Sequence, residues 1–323
     1  MNSNNLLNNQ HTMSAHPGQP NTKQAFSTPL RKAVIGKRAD LSPQAKAHIR
    51  RLSGARPLRF IAELLLNWLI IGALITTGLH FSHPVITILC IIFIGWRQLV
   101  LGLLLHEQVH RLGLRGKYGD WWVNVLVAYP IFFTTVEDYA KVHLMHHKYF
   151  FTPRDPDHLR KCGPEWSFPM PLKRMLGIIL RDLSGLNTLR VIKGKTAPKN
   201  AEEFTRKHPT PAALRWGLYA ALAIALTLAN AWMAFVVYWV VPLLTTTQLF
   251  LRWIAVSEHQ YNSENADCLD VTPLIRLKPW QRILLPDLNF ALHAYHHEHP
   301  GISFANLPKV HDIYTKEGLT NQA

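Results

Sequence analysis

Four apolar blocks, grouped in two close pairs, are the feature of this sequence that most restricts its fold. Each block is near the roughly 20 residues that an α-helix needs to cross the hydrocarbon core of a membrane. Of the 323 residues, 48% are hydrophobic and only 17% are charged, whereas soluble proteins carry about 25% charged residues. We therefore predict an all-α integral membrane protein with four transmembrane helices in two hairpins. The predicted spans are Ile61–Leu79, Pro84–Leu105, Ala212–Ala229 and Ala231–Trp253.

The charge distribution sets the expected orientation of these hairpins. Two hairpins return the chain to its starting side, so both termini and the polar segment 106–211 are expected on one face of the membrane. Much of the net charge of +15 lies in Arg31–Arg59, directly before the first span, which is typical of a cytoplasmic flank. The basic residues form no periodic face with interleaved aromatic residues, so nucleic acid is not an expected partner.

Composition also divides the chain into a tail and one domain. Residues 1–25 are rich in Asn, Gln and Ser and lack an apolar run, which predicts a disordered tail and not a signal peptide. Residues 26–323 are predicted to form one membrane domain, with a short interfacial or re-entrant segment at 121–133 and an interfacial helix at 174–186. Three scattered cysteines form no metal-binding pattern and favour a reducing compartment.

Histidines form three tight clusters on the polar side of these spans. The clusters read His-Glu-Gln-Val-His, His-Leu-Met-His-His and His-Ala-Tyr-His-His, with spacings of three or four residues. On a helix such spacings place imidazoles on one face, where their nitrogens can reach a common metal. A ninth histidine follows the fourth apolar block. The candidate metal ligands are His106, His110, His143, His146, His147, His259, His293, His296 and His297.

The number of imidazoles indicates the kind of metal centre. About four to six ligands saturate one ion, so nine clustered histidines suit two ions. Neutral imidazole binds iron, zinc, copper and nickel, but structural zinc sites are closed tetrahedral sites of Cys and His. Open-shell iron that activates dioxygen is the more natural occupant, because oxygen chemistry needs a redox metal with open positions.

The clusters and spans follow the order found in the membrane-bound fatty acid desaturase and hydroxylase superfamily, which this chain resembles over about residues 60–312. Glu258-His259, Asp155-Pro-Asp157 and the tail ending Asn306-Leu-Pro308 also look like family sequence. The resemblance implies a cytoplasmic helical cap that holds a di-iron site, with the nine histidines as ligands and Asn289 as a metal-proximal residue. It further implies an oxygen-dependent oxidoreductase that desaturates an acyl chain of a lipid, with two Fe ions as cofactor and O2 as co-substrate.

An external electron donor, ferredoxin-like or cytochrome-like, is implied as well, because the sequence holds no haem-attachment, iron–sulfur or dinucleotide-binding motif. Carboxylates are expected to orient the ligating imidazoles through hydrogen bonds. The candidates for this role are Glu107, Asp138, Glu258, Asp287 and Glu298.

Three other functions stay open at this point. A hydroxylase or ketolase of a lipid or carotenoid would carry similar clusters. His106-Glu107-Gln-Val-His110 also fits the HExxH pattern of zinc proteases, although it lies at the end of its helix and leaves seven clustered histidines unexplained. A metal transporter would require polar residues in the middle of several spans, which the last two blocks nearly lack apart from Thr and Gln248.

Overall fold

The fold is all-helical in the part of the chain that the structure, a computed structural model, describes. That part comprises residues 35–132, 134–188, 202–263, 266–275 and 277–320. Apart from two single-residue β-bridges, Ile35–Thr320 and Gly54–Ile302, these residues form no strand. The all-α prediction is therefore confirmed for the described residues, whereas the predicted tail 1–25 lies outside them.

The α-helices are numbered here along the described chain. They are α1 (Pro43–Leu52), α2 (Pro57–Phe81), α3 (Pro84–Val109), α4 (Gly119–Val123), α5 (Val136–Lys148), α6 (Pro156–Lys161), α7 (Leu172–Leu183), α8 (Ala212–Leu228), α9 (Trp232–Glu258), α10 (Cys268–Val271), α11 (Pro279–Leu284), α12 (His293–Glu298) and α13 (Leu307–Lys316). Helix α9 contains a π-helical turn at Val236–Val240.

Three of these helices, α2, α3 and α9, are long and apolar enough to cross a membrane. They coincide with three of the four predicted spans. Helix α8 lies at the remaining predicted span, Ala212–Ala229, and is apolar, but it has only 17 residues. Both α3 and α9 run past the ends of the predicted spans. The last turn of α3 is buried and carries His106, and α9 leads directly into His259.

The turn between α2 and α3 explains why these two helices form a hairpin. Ser82 adopts a left-handed φ of 47°, and its N–H donates to the Gly78 carbonyl oxygen, which ends α2. His83 Nδ1 accepts the Val85 N–H at 3.3 Å. Pro84 then occupies the first turn of α3, where its missing N–H costs nothing. The chain therefore reverses within His80–Pro84, as the short polar connection predicts.

Helix α3 is the centre of the bundle and packs against α2, α5 and α9. Leu99 and Leu104 are fully buried in its core face. Gln98 donates to the Trp239 carbonyl oxygen at 2.9 Å and accepts from the Thr247 hydroxyl at 2.7 Å. A buried amide would be costly without such partners. These bonds therefore fix the position of α9 along α3.

The predicted interfacial segment 174–186 corresponds to α7. Leu172, Leu176 and Leu180, spaced four residues apart, are exposed along one stripe of this helix. On another face Asp182 is buried and accepts from Arg252 Nε of α9 at 2.6 Å. An apolar stripe on a helix tied to a span is typical of a helix in the membrane surface. The predicted segment 121–133 forms α4 and a π-helical turn, and residue 133 lies outside the described chain.

The close approach of α3 and α9 depends on Gly95. A Cβ at this position would lie 2.9 Å from Thr246 Cβ and 3.0 Å from the Thr247 backbone nitrogen. We expect Gly95→Ala to lower the free energy of unfolding by about 1–3 kcal/mol, because overpacking forces these two helices apart. The unfolding temperature of the detergent-solubilised protein measures this change.

Gly102 on the same helix supplies the matched control. Nothing lies within 4 Å of a Cβ built there. Gly102→Ala should therefore leave the protein as stable as before or stabilise it by up to about 1 kcal/mol, the ordinary gain in helix propensity. Equal unfolding temperatures for the two variants would contradict the proposed contact.

Candidate metal centre

The nine predicted ligands lie on four segments of the chain that converge at one end of the helical bundle. His106 lies in the last turn of α3 and His110 directly follows that helix. The second cluster lies on α5 and the third on α12. His259 is the residue after α9. The structure therefore brings all nine imidazoles together, although the segments are far apart in the sequence.

Five of the histidines form the first group. His110 Nε2 lies 2.9 Å from His143 Nε2, which lies 3.0 Å from His147 Nε2. His147 Nε2 in turn lies 3.1 Å from His296 Nε2. With His106, one nitrogen of each of these residues falls within 4.8 Å of the others. This group therefore offers five nitrogens to one ion.

The other four histidines form the second group. His146 Nε2 lies 3.3 Å from His259 Nε2, which lies 3.2 Å from His293 Nε2. His293 Nε2 lies 3.1 Å from His297 Nε2. Nitrogens of His146, His259 and His297 fall within 4.8 Å of one another. The two groups share neighbouring residues of the same helices and therefore lie side by side.

Helix geometry explains why the second and third clusters each contribute to both groups. Residues advance by about 100° per position around a helix axis, so adjacent histidines point about 100° apart. His143 and His147, four residues apart, point in nearly the same direction and join the first group, while His146 joins the second. In the third cluster His296 joins the first group and His297 the second. One helix thus contributes to both groups.

The hydrogen-bonding capacity of imidazole shows that a cation fits these groups. A neutral imidazole has one N–H donor and one acceptor nitrogen, each acting along one direction in the ring plane. His143 Nε2, His147 Nε2 and His259 Nε2 each have two close nitrogen neighbours, which hydrogen bonds alone cannot satisfy. Both ring nitrogens of the buried His106 have no hydrogen-bond partner among the described residues.

The separations between the imidazole nitrogens also fit a shared metal ion. Two imidazole nitrogens that are each about 2.1 Å from one ion, at an angle of about 90–105°, lie about 3.0–3.3 Å apart. The separations along the two chains of Nε2 atoms run from 2.9 to 3.3 Å. The donor set and its spacing therefore suit two transition-metal ions, each surrounded by imidazoles.

Burial keeps these imidazoles in the form that binds metals. Desolvation is the main cause, and neighbouring imidazoles add to it, so the pKa of each affected side chain lies well below its usual range. At neutral pH they are uncharged, and each has a lone pair available for a cation. The affected histidines outside the candidate spans are His110, His143, His147, His259, His293, His296 and His297.

Two side chains orient the second group. Asp155 Oδ2 lies 2.9 Å from His146 Nδ1, and Asp155 is completely buried. Thr272 Oγ1 lies 3.0 Å from His259 Nδ1. A partner on Nδ1 fixes the ring orientation and directs Nε2 toward the metal position. Sequence reasoning placed Asp155 in a family motif without a role and missed Thr272.

Asp155 is held by the backbone that surrounds it. Its Oδ1 accepts the N–H groups of Asp157 and His158 at the start of α6, and its Oδ2 also accepts the N–H of Phe151. The motif Asp-Pro-Asp could have indicated this position, because Asp is favoured at a helix N-cap and Pro at the next residue. The contact between the Asp155 carboxylate and His146 depends on the turn after α5, which the motif does not predict.

The carboxylates expected to orient imidazoles make other contacts. Glu107 accepts the Phe304 N–H at 3.2 Å, and Asp138 accepts from Lys141 at 3.4 Å. This contact of Glu107 also weakens the zinc-protease interpretation, which requires that carboxylate as a free general base.

The remaining candidates lie next to the third cluster or the ninth histidine. Asp287 accepts the Ala291 N–H at 2.9 Å, and Glu298 accepts the Arg38 N–H at 2.8 Å. Both hydrogen bonds fix backbone segments next to α12, and neither involves a candidate ligand. Glu258 directly precedes His259 at the end of α9. The described carboxylate that does bind a candidate ligand is therefore Asp155.

Asn289 lies in the turn before α12, with a left-handed φ of 63°. Its side-chain amide donates to the Phe304 carbonyl oxygen at 3.1 Å. This bond ties the loop before the third cluster to the segment after it. The role of Asn289 near a metal remains a prediction.

Asp155 provides a test of the metal centre that does not depend on activity. We expect Asp155→Asn to weaken binding of Co2+ by about 10- to 100-fold, because an orienting partner of a ligand is lost. The amide can still accept backbone N–H bonds, so the fold should persist. Competition with a chelator of known affinity gives the metal affinity, and the visible spectrum of Co2+ reports the ligand geometry.

Asp138→Asn is the control, since Asp138 is an exposed carboxylate on the helix that carries the second cluster. It removes the same charge and should leave Co2+ affinity unchanged. Equal weakening in both variants would show that net charge, and not the bond to His146, determines affinity.

The chain resembles a known family over most of its length. The family model described as "Fatty acid desaturase" matches residues 82–321, a region that includes all nine candidate ligands. The comparison with curated proteins gives no match. Because the matched region covers well over half of the 323 residues, the chain belongs to the fatty acid desaturase family.

Proposed function

We propose that this protein is an oxygen-dependent di-iron oxidoreductase that desaturates an acyl chain of a membrane lipid. The family implies an oxidoreductase with a lipid substrate, and together with the histidine groups it suggests iron binding. The observation that carries the proposal is the gathering of nine imidazoles into two adjacent groups at the end of the bundle where the apolar helices α3 and α9 finish. A hydroxylase or ketolase of a lipid or carotenoid would use the same residues and is an outcome of the test below.

Each group would hold one iron ion. The first would be held by His106, His110, His143, His147 and His296, and the second by His146, His259, His293 and His297. When bound, the two Fe ions supply the redox chemistry that couples reduction of O2 to removal of hydrogen from an unactivated methylene group.

The surrounding residues hold this donor set rigid and dry. Asp155 and Thr272 fix two imidazoles of the second group, and Phe290 packs against His106 with ring centroids 4.7 Å apart. Buried apolar walls exclude water, which would otherwise compete for open metal positions and consume reactive species. The rigidity matters because a methylene group offers no charge or hydrogen bond by which the enzyme could position it.

The direction of the helices supports four membrane crossings. Helices α3 and α9 pack together and both reach the metal centre with their C-terminal ends, so they run parallel. The chain must therefore return to the opposite end of the bundle between them. Helix α8 is the apolar helix on that path, and its 17 residues correspond to about 26 Å. None of its residues is buried within the protein, as expected for contact with lipid.

With four crossings, both termini and the metal centre lie on one side of the membrane. The basic segment before α2 makes that side the cytoplasm, and residues 26–323 then form a single membrane domain. Electrons would come from a separate ferredoxin-like or cytochrome-like protein in the same compartment, because the sequence carries no motif for a second redox cofactor.

Lipid analysis of cells that express the chain tests the reaction. We expect new acyl chains that lack one pair of hydrogen atoms, and their loss in His146→Ala, because a ligand of the second group is removed. Mass spectrometry of extracted lipids and fatty acids measures both. His80→Ala, at the exposed end of α2, should keep full activity.

Other products separate the alternatives. Hydroxylated acyl chains would identify a hydroxylase, and oxygenated carotenoids would identify a ketolase or hydroxylase of that class. A wild-type protein that is inserted, loaded with iron and supplied with a donor, yet changes no acyl chain, would overturn the desaturase proposal.

Metal analysis tests the centre independently of the substrate. We expect about two Fe per chain in the wild-type protein and a loss of about one in His259→Ala, because each group binds its own ion. His80→Ala again serves as the control. A single zinc ion per chain would contradict the di-iron proposal and favour the HExxH interpretation.

A further inference from the structure

A basic cavity lies beside the third histidine cluster but outside the metal centre. Its volume is about 210 Å3. It is formed where α1 meets the loop that follows α12. The residues that line it are Arg38, Lys46, Ile49, Arg50, Ser53, His299, Pro300, Gly301 and Ile302.

Three of the lining side chains carry a permanent positive charge. Among the described residues, no carboxylate forms an ion pair with Arg38, Lys46 or Arg50. Glu298 accepts the backbone N–H of Arg38 at 2.8 Å. Residues 1–34, which precede the described chain, contain neither Asp nor Glu. The cavity therefore concentrates three positive charges that form no ion pair with a described carboxylate.

The walls of the cavity are fixed in place by hydrogen bonds. The Ser42 hydroxyl caps α1 by accepting the Ala45 N–H, and it donates to Glu317 of the segment after α13. On the opposite wall the Gly54 N–H donates to the Gly301 carbonyl oxygen at 2.9 Å. Lys46 Nζ donates to the Ala39 carbonyl oxygen at 2.7 Å, which holds its charge at the cavity edge. Long basic side chains on rigid walls lose less entropy when they bind an anion.

The cavity also lies close to the start of the first candidate span. Ser53 is four residues before Pro57, where α2 begins. Four residues of chain reach at most about 14 Å. If α2 spans the membrane as proposed, the phosphate groups of the bilayer surround the cytoplasmic end of α2. The cavity is thus within reach of these phosphate groups.

We infer that this cavity binds a phosphoryl group. A phosphate monoester presents several acceptor oxygens and nearly two negative charges, which suits two guanidinium groups and one ammonium group better than a single carboxylate would. The source is either the head group of an anionic phospholipid or a soluble phosphate. Because the cavity shares the loop after the third cluster with the metal centre, a bound head group would hold a lipid next to that centre.

Binding to the purified full chain in neutral detergent tests the inference. The probes are dioctanoyl phosphatidic acid and inorganic phosphate, with dioctanoyl glycerol as the lipid that lacks phosphate. Isothermal titration at physiological ionic strength limits the contribution of unspecific charge attraction, since the Debye length is then about 8 Å. We expect saturable binding of at least one phosphate probe and none of dioctanoyl glycerol.

The variants distinguish the cavity from the general basic surface. Lys46→Gln combined with Arg50→Gln should weaken binding at least about tenfold, because two charge-assisted contacts are lost. Arg51→Gln, an exposed arginine on the same helix that does not line the cavity, should change the affinity less than about twofold. Iron content should be unchanged in all variants. A failure of the metal proposal would therefore appear in the iron content and not in the phosphate affinity.

The outcomes are distinct. Tighter binding of phosphatidic acid than of inorganic phosphate identifies a lipid head group, and equal binding identifies a soluble phosphate; both support the inference. Lack of binding by the wild-type chain, or equal weakening by Arg51→Gln and the double variant, would overturn it.

Discussion

The structure depends on nine imidazoles gathered in one place, six of them buried and three half-buried. Each buried polar nitrogen without a partner costs about 1–3 kcal/mol, and the two groups contain several such atoms, including both nitrogens of His106. Lone pairs that face one another add repulsion that water cannot relieve in a dry interior. A cation in each group would remove the repulsion and bind one nitrogen of each ring. The arrangement is therefore stable as a metal-binding structure and unfavourable as a purely hydrogen-bonded one, which links metal binding to folding.

The apolar frame supplies the fixed positions that such a centre needs. Gln98 joins α3 to α9 within the core, so that His106 and His259 reach the same level. Close to the metal centre, the ion pair of Arg252 and Asp182 joins α9 to α7, and the Arg252 guanidinium lies 4.1 Å from the centre of the Trp166 ring. A buried ion pair contributes little net stability, but it permits few other arrangements. These polar contacts within an apolar bundle fix the position of each helix end relative to the others.

Much of this architecture could be predicted from the sequence, and the limits have a physical cause. Apolar blocks and the His80–Pro84 turn are local signals, so α2, α3 and α9 lie where the sequence predicts them, and the short α8 lies at the third block. The histidine spacings predict which residues share a helix face. The roles of Asp155 and Thr272 could not be predicted, since they depend on loops that return to the ligands after α5 and α9. Glu107 and Glu298 adjoin ligands in sequence, yet their side chains bind distant backbone.

The division of the histidines into two groups also explains why the clusters have their particular form. A cluster with two adjacent histidines on one helix must point them about 100° apart, so α5 and α12 each lie between the two groups. The first cluster has no adjacent pair, and both of its histidines join the first group. His259 then completes the second group from a separate segment. Each group therefore joins parts of the chain that are more than a hundred residues apart, and closing such long loops is an entropic cost that a bound ion would offset.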